Sequence, residues 1–508
     1  MKANQLLLVT IIGALLVLPF LSGGGEVTNV TGAAQGESLA PAAGGTTAGS
    51  AETEEIENLK KEIQALDQKV QILEQQHQSE SQAIIDTNQA QIRELDQKMR
   101  ILARQHELDQ ESAAAAAKAQ PRFKFDSSGF TFTSADTNFA LGLHGLVQMD
   151  SRTYFGENNV ANSGFLLRRA RPIITGTVFH DFDFNLTPDF AGTVQILDAF
   201  VNYHYRPELQ LIAGKYKPPI GLEALQADAN LLFNERALVT DLVPNRDVGL
   251  ELHGDLWGGA ISYAAGVFDG APDYSSSTAN TNLDSDLSYD GRIFVQPWIK
   301  SDVDLLRGLG FGVGGNYEND RDGVNGLTPG YTTDGQQRFF TYGAGTLADG
   351  QHWRVSPQAY YYYGPLGVMS EYAISDQKVR NGAAHADLGN TAWEVQGGWI
   401  LTGEDASYNG VTPRHPFNLH GGGWGAWQVV GRYEQLNVDD SAFPTFASSA
   451  ASASAAHAWS AGFNWYLNRN VRFNASYSQT MFSGFTGSPP AVPAQDEKVF
   501  FTRIQLAF

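Results

Sequence analysis

The sequence predicts a 16-stranded antiparallel transmembrane β-barrel over residues 121–508, preceded by an α-helical coiled coil. Three observations predict it. Most of the chain alternates apolar and polar side chains with period two, as a two-faced strand does. Residues 52–117 instead repeat apolar side chains at spacings of three and four, the pattern of paired helices. An apolar leader at the amino terminus marks export.

Composition narrows the class. At 508 residues the chain exceeds one ordinary domain. Its mean hydropathy is −0.25, too low for a bundle of membrane helices but fitting for a wall with one apolar face. With no cysteine, disulfides, thiolate metal sites and amino-terminal lipidation through cysteine are excluded. The formal charge is −21, of which −14 falls on residues 121–508. Nucleic acid is excluded as a partner, because phosphate binding needs a basic face.

The first element is a signal peptide over residues 1–25. Lys2 precedes a 16-residue apolar block, 6–21, and then Ser22 and three glycines. Such a block spans ~24 Å as a helix, short of the ~30 Å hydrocarbon core, so a signal fits better than a retained anchor. Residues 26–51, rich in Gly, Ala, Ser and Thr, read as a flexible linker.

Residues 52–117 read as a periplasmic coiled-coil stalk. Ile56, Leu59, Ile63, Leu66, Val70 and Leu73 occupy a and d positions, and Ile85, Ile92, Leu95, Met99 and Leu102 resume the stripe in a shifted register. The segment LDQKVQILEQQH (66–77) returns as LDQKMRILARQH (95–106), 29 residues later. Over eight turns that is about 3.6 residues per turn, so the rods should supercoil little. Branched residues at a with Leu at d lean toward two strands.

The third element is the barrel. Val471, Phe473, Ala475 and Tyr477 alternate with Arg472, Asn474, Ser476 and Ser478. Phe500, Ile504, Leu506 and Phe508 face one way, Arg503 and Gln505 the other. The strands are expected at 139–151, 165–178, 182–190, 194–204, 209–217, 247–257, 260–269 and 288–299. The second half adds 309–318, 352–363, 366–376, 390–401, 424–437, 457–467, 470–482 and 497–508. Short connections near 206–208, 258–259, 364–365 and 468–469 alternate with long ones at 218–246, 270–287, 319–351 and 483–496. The connection 402–423 breaks this rhythm by being long where a short turn is due. An even strand count puts both barrel ends on the side of the stalk.

GFLLRRARPIITGTVFHDFDFNLTPDF (164–190), DAFVNYHYRPELQLIAGKYKPPIGLE (198–223) and NERALVTDLVPNRDVGLELHG (234–254) resemble the phosphate-selective porin O and P family. So do GWGAWQVVGRYEQLNVDD (423–440), FNWYLNRNVRFNASYSQT (463–480) and FFTRIQLAF (500–508). The resemblance covers the barrel and not the stalk. It implies an outer-membrane homotrimer with a loop folded into each pore, in contrast to the two strands the stalk favours. It also implies that the barrel-assembly machinery recognises the last strand through Phe508.

The candidate pore residues follow from strand faces. Arg169 and Arg171 share a face with Thr175 and Thr177 and should point inward, since arginine toward lipid is costly. Lys215 and Lys217 lead into loop 218–246, and Arg432, Arg472 and Arg503 also lie on inward faces. Together they form a candidate anion path. Pairing with inward carboxylates such as Asp183, Glu394 and Glu434 is the equal alternative. Arg168, on the opposite face, suits a subunit contact.

Other constellations carry less. His415 and His420 lack a third ligand, so no metal site is expected. Asp439–Asp440 and Asp320/Asp322 read as solvated loop charge, able at most to hold Ca²⁺ loosely. Tyr360–Tyr363 suits an interfacial girdle. No serine stands in a nucleophile motif, so neither enzyme activity nor a cofactor is expected. The expected function is passive diffusion of small hydrophilic solutes or ions through the outer membrane, with anions or phosphate favoured by the resemblance. The alternative is a structural tether from outer-membrane lipid to peptidoglycan through the stalk.

Overall fold

The computed structural model describes residues 51–118, 120–156, 161–277, 286–323, 327–488 and 492–508. The expected signal peptide and linker lie outside these residues, except Ala51, where the first helix begins. Helix α1, Ala51–Lys118, runs 68 residues, about 100 Å. It contains neither Gly nor Pro and is rich in Glu, Gln, Lys, Ala and Leu, all strong helix formers. Ion pairs one turn apart support it, Glu94–Lys98 at 2.8 Å and Asp96–Arg100 at 2.9 Å. Pro121 follows its end. Its stripe, Ile56, Leu59, Ile63, Leu66, Val70 and Leu73, is exposed along its length.

The barrel has sixteen strands among the described residues. They are β1 (Phe139–Phe155), β2 (Gly164–Val178), β3 (Phe182–Asp189), β4 (Gln195–Arg206), β5 (Leu209–Tyr216), β6 (Asp247–Leu256), β7 (Ile261–Phe268) and β8 (Ser288–Val295). The ring continues with β9 (Leu309–Gly323), β10 (Thr346–Tyr363), β11 (Leu366–Asn381), β12 (Ala384–Ile400), β13 (Ala426–Asn437), β14 (Ala455–Tyr466), β15 (Val471–Ser483) and β16 (Glu497–Ala507). Each pairs antiparallel with the next, and β16 pairs with β1, from Lys498↔Phe155 to Ala507↔Leu146, which closes the wall. All sixteen fall where the alternation put them; β9 to β12 run several residues longer. β1 begins and β16 ends at one rim, here the terminal rim; the opposite one is the far rim.

Beyond the expected set, Arg122–Asp126 and Gly129–Thr133 form a hairpin. Its second strand pairs with the first residues of β1, Phe130↔Leu143 to Thr133↔Ala140. That stretch of β1 is the part β16 leaves uncovered.

The wall is apolar outside and polar inside. Ile504 is 60% exposed while Arg503 is 1% exposed. Val429, Tyr433 and Trp459 lie outside, and Gln428, Glu434 and Asn474 are buried within. A soluble barrel would show the reverse. No described helix is long and apolar enough to cross a membrane.

Two far-rim loops fill much of the interior. Loop 217–246 carries the short helices Leu222–Leu225 and Leu238–Leu242. Its Leu238, Val239 and Leu242 pack with Tyr331, Phe339 and Phe340 of the loop after β9. Gly314 of β9 admits the loop, since a side chain there would strike the Ile220 backbone. The long connection 401–425 at the terminal rim has a matching role. Tyr408 donates its hydroxyl to the Leu222 carbonyl at 2.7 Å, and its backbone carbonyl accepts from Gln226 Nε2 at 2.8 Å. This accounts for the broken rhythm: the extra residues buttress the inserted loop. Tyr360 and Tyr362 turn inward, with Tyr360 stacked on Tyr408, so only part of that cluster can serve a girdle.

Candidate functional site

A cavity of about 750 Å³ lies beside the inserted loop. Its lining runs from Asn470 and Phe508 at the terminal rim to Thr187, Asp198, Lys217 and Arg246 at the far ends of β3 to β6. Five cationic side chains line it, Arg171, Lys217, Arg246, Arg469 and Arg472, against two carboxylates, Asp198 and Asp228. The cavity is therefore locally cationic in a chain of charge −21.

Loop 217–246 is held in place by charge-assisted hydrogen bonds, which are the strong ones. Asp228 receives Arg171, Arg169 (3.2 Å) and Arg236 (2.5 Å). Glu235 receives Arg168 Nε at 2.6 Å, its Nη2 at 2.8 Å and Arg152 Nη2 at 2.8 Å. Burial pushes the Asp228 carboxyl up, but Arg169, Arg236 and Arg171 outweigh it and hold it well below the usual range. Glu235 is lowered likewise, with Arg168 overriding burial.

The inward arginines divide into two groups. Arg169, Arg432 and Arg503 are buried anchors outside the cavity lining. Arg169 also donates to Gln148 Oε1 at 2.7 Å. Arg432 binds Asp334 at 2.7 Å, Glu434 at 3.2 Å and the Glu235 carbonyl at 2.9 Å. Arg503 grips Asp150 with two bonds of 2.6 and 2.7 Å. Lys215 donates to the Ser277 carbonyl at 2.8 Å and also lies off the cavity.

Arg171, Lys217 and Arg472 do face the cavity. Arg171 donates to Asp189 at 2.6 Å and to Asp228. Lys217 Nζ donates to the carbonyls of Leu225 (3.4 Å) and Gln226 (2.8 Å). Arg472 meets no carboxylate among the described residues; it donates to the Leu231 carbonyl at 2.8 Å and to Gln505 Oε1 at 3.2 Å.

Arg168 departs from expectation. The register of β1 against β2 slips between Gln148↔Arg169 and Met149↔Leu167, leaving Arg168 as the extra residue of a bulge. The bulge turns Arg168 inward onto Glu235, so it is not free for a subunit contact. Asp320 is corrected too: it is no solvated loop charge but sits on β9 near buried His352. Arg246 and Arg469 were missed in sequence; Arg246, within the NRDVG motif, pairs with Asp198 at 3.2 Å. Phe508 exchanges two backbone bonds with Gly145, 2.9 and 3.0 Å, and lays its ring beside Phe130.

Porin O of Pseudomonas aeruginosa is 23% identical over 415 residues, covering 75% of this chain and 91% of that protein. The outer membrane channel DcaP of Acinetobacter baumannii superposes with a TM-score of 0.48 at 12% identity, over 75% of this chain and all of that one. An anion-selective porin from Comamonas acidovorans gives 0.47 at 10% identity, over 73% of this chain and all of that one. The family model described as phosphate-selective porin O and P matches residues 141–508, which takes in every barrel strand but the first two residues of β1. The chain belongs to the phosphate-selective porin O and P family of outer-membrane porins.

Proposed function

We propose that this porin conducts small hydrophilic anions down their gradient along the cationic cavity, with Arg472, Lys217 and Arg171 as its selective surface. The carrying observation is the excess of cations over carboxylates in that lining. Exposed charge beyond ~8 Å is screened at physiological salt, so the acidic exterior does not set the preference. Arg472 carries most of the reading, because no carboxylate among the described residues pairs with it. Arg169, Arg432 and Arg503 serve instead to hold the loop that narrows the pore. Passage needs no chemical step and no cofactor.

Single-channel recordings in a planar bilayer under a salt gradient test this. Wild-type protein is expected to give ohmic steps with an anion-side reversal potential, reduced by phosphate if phosphate binds. Arg472→Ser should move the reversal potential toward cations; an unchanged potential removes Arg472 from the filter.

The assembly reading is a homotrimer, with Phe508 as the signal to the assembly machinery and helix α1 as a stalk in the periplasm. The uncovered apolar stripe of α1 supports self-association, since a continuous stripe of that length needs a partner. The same helix favours a second role, a tether toward peptidoglycan.

A further inference from the structure

A second polar cluster lies away from the cavity, on β9, β10 and β11. His352 is fully buried. Its Nε2 lies 2.8 Å from Ser375 Oγ, and that hydroxyl in turn donates to Asp273 at 2.8 Å from Oδ2 and 3.0 Å from Oδ1. Because the serine proton goes to Asp273, Nε2 must carry the proton of the first bond. Nδ1 is left with no hydrogen-bond partner. It faces Glu318 Oε1 at 3.0 Å and Asp320 Oδ2 at 3.7 Å.

Three lone-pair donors thus converge, with the three atoms within 4.8 Å of one another. Something positive belongs between them. A proton on Nδ1 would serve Glu318 but not Asp320, which is too distant for a hydrogen bond. A metal ion serves all three: bonds of about 2.0–2.2 Å set neighbouring ligand atoms roughly 3.0–3.6 Å apart. Charge points the same way. Among the described residues, Glu318, Asp320 and Asp273 face one guanidinium, Arg354, which donates to Glu318 at 2.9 Å and Asp273 at 2.7 Å. A divalent ion with neutral imidazole balances these groups, whereas imidazolium leaves one negative charge over.

We infer that Glu318, Asp320 and His352 form a binding site for a divalent first-row transition-metal ion. One imidazole with two carboxylates suits Zn²⁺ and its neighbours better than Ca²⁺ or Mg²⁺. The supporting groups are in place. Ser375 and Asp273 fix the imidazole tautomer, and Gln377 Nε2 donates to Asp320 Oδ2 at 2.9 Å. Entry is from the side of Asp320, whose side chain keeps 16% of its surface open. Ser375 also joins the site to the connection bearing Asp273.

The test uses the full chain in detergent, stripped with a chelator, equilibrated with Zn²⁺ at neutral pH and freed of unbound metal. Metal content by mass spectrometry should exceed that of Asp320→Asn and of His352→Gln by about one ion per chain. Barrel closure of each variant is checked by its gel shift on heating. Equal content in wild type and a closed variant overturns the site and leaves a protonated His352 in its place. Wild-type protein that keeps no Zn²⁺ overturns it whatever the variants do.

Discussion

Glu235 shows how much a single carboxylate can hold. It receives Arg152 and Arg168 directly, and Arg503 stands 3.6 Å away. Removing one partner of a buried pair costs roughly 3–5 kcal/mol, because the remaining charges stay buried without compensation. Glu235→Gln should therefore loosen loop 217–246, seen as a noisier and larger single-channel conductance and a lower temperature for the heat-induced gel shift. A variant indistinguishable in both would mean that the wall holds the loop without this carboxylate. The inward direction of Arg503, like that of Arg169, Arg171, Arg432 and Arg472, was legible in the sequence, since period two assigns faces. Their loop partners were not: Asp228 and Glu235 lie on a loop, where no periodicity says which wall residue they will meet. Arg168 was misread because one bulged residue reverses a face, and nothing in RRAR marks the slip.

Among the elements, strands and helix differ in what secures them. Each strand of the wall is bonded on both sides, and alternation alone located all sixteen. Helix α1 is secured along its own axis, by propensity and ion pairs one turn apart, and leaves its stripe exposed. Deleting residues 52–117 should leave single-channel conductance unchanged while releasing the outer membrane from the cell wall, visible as vesicle shedding. Normal envelopes would argue against the tether, and altered conductance would give the stalk a part in the pore. The loops were the least legible elements. The length of 218–246 allowed it to fold inward, but the buttress from 401–425 showed in sequence only as an interrupted rhythm. The hairpin ahead of β1 gave no warning, because five-residue strands are too short for a firm alternation.

On the scale of the whole molecule, the fold turns a soluble protein's arrangement inside out. Arginine toward lipid at mid-membrane costs roughly 2–4 kcal/mol, so charge is driven into the lumen. A chain of −21 can then keep a cationic cavity, the proposed passage. That passage should respond to pH. Burial, reinforced by Arg236 and Arg246, pushes the Lys217 ammonium well below its ordinary value of ~10.4. As pH rises through that depressed value the positive charge is lost, while an ordinary lysine would still carry it. Anion preference should therefore decline on raising the pH at values below ~10, and Lys217→Arg should abolish the decline. A reversal potential flat over this range in the wild type would remove Lys217 from the passage.

The seam where β16 meets β1 carries a consequence in time. The Gln148–Gln505 bond joins residues 357 apart in the chain. Loop-closure entropy grows only with the logarithm of length, so this seal is little dearer than a shorter one. Its timing is another matter. Until β16 docks on β1, the assembling wall presents two naked strand margins, each a template for a stranger's backbone. A wall that lacks β16 is an unzipped sheet with no way to become a pore.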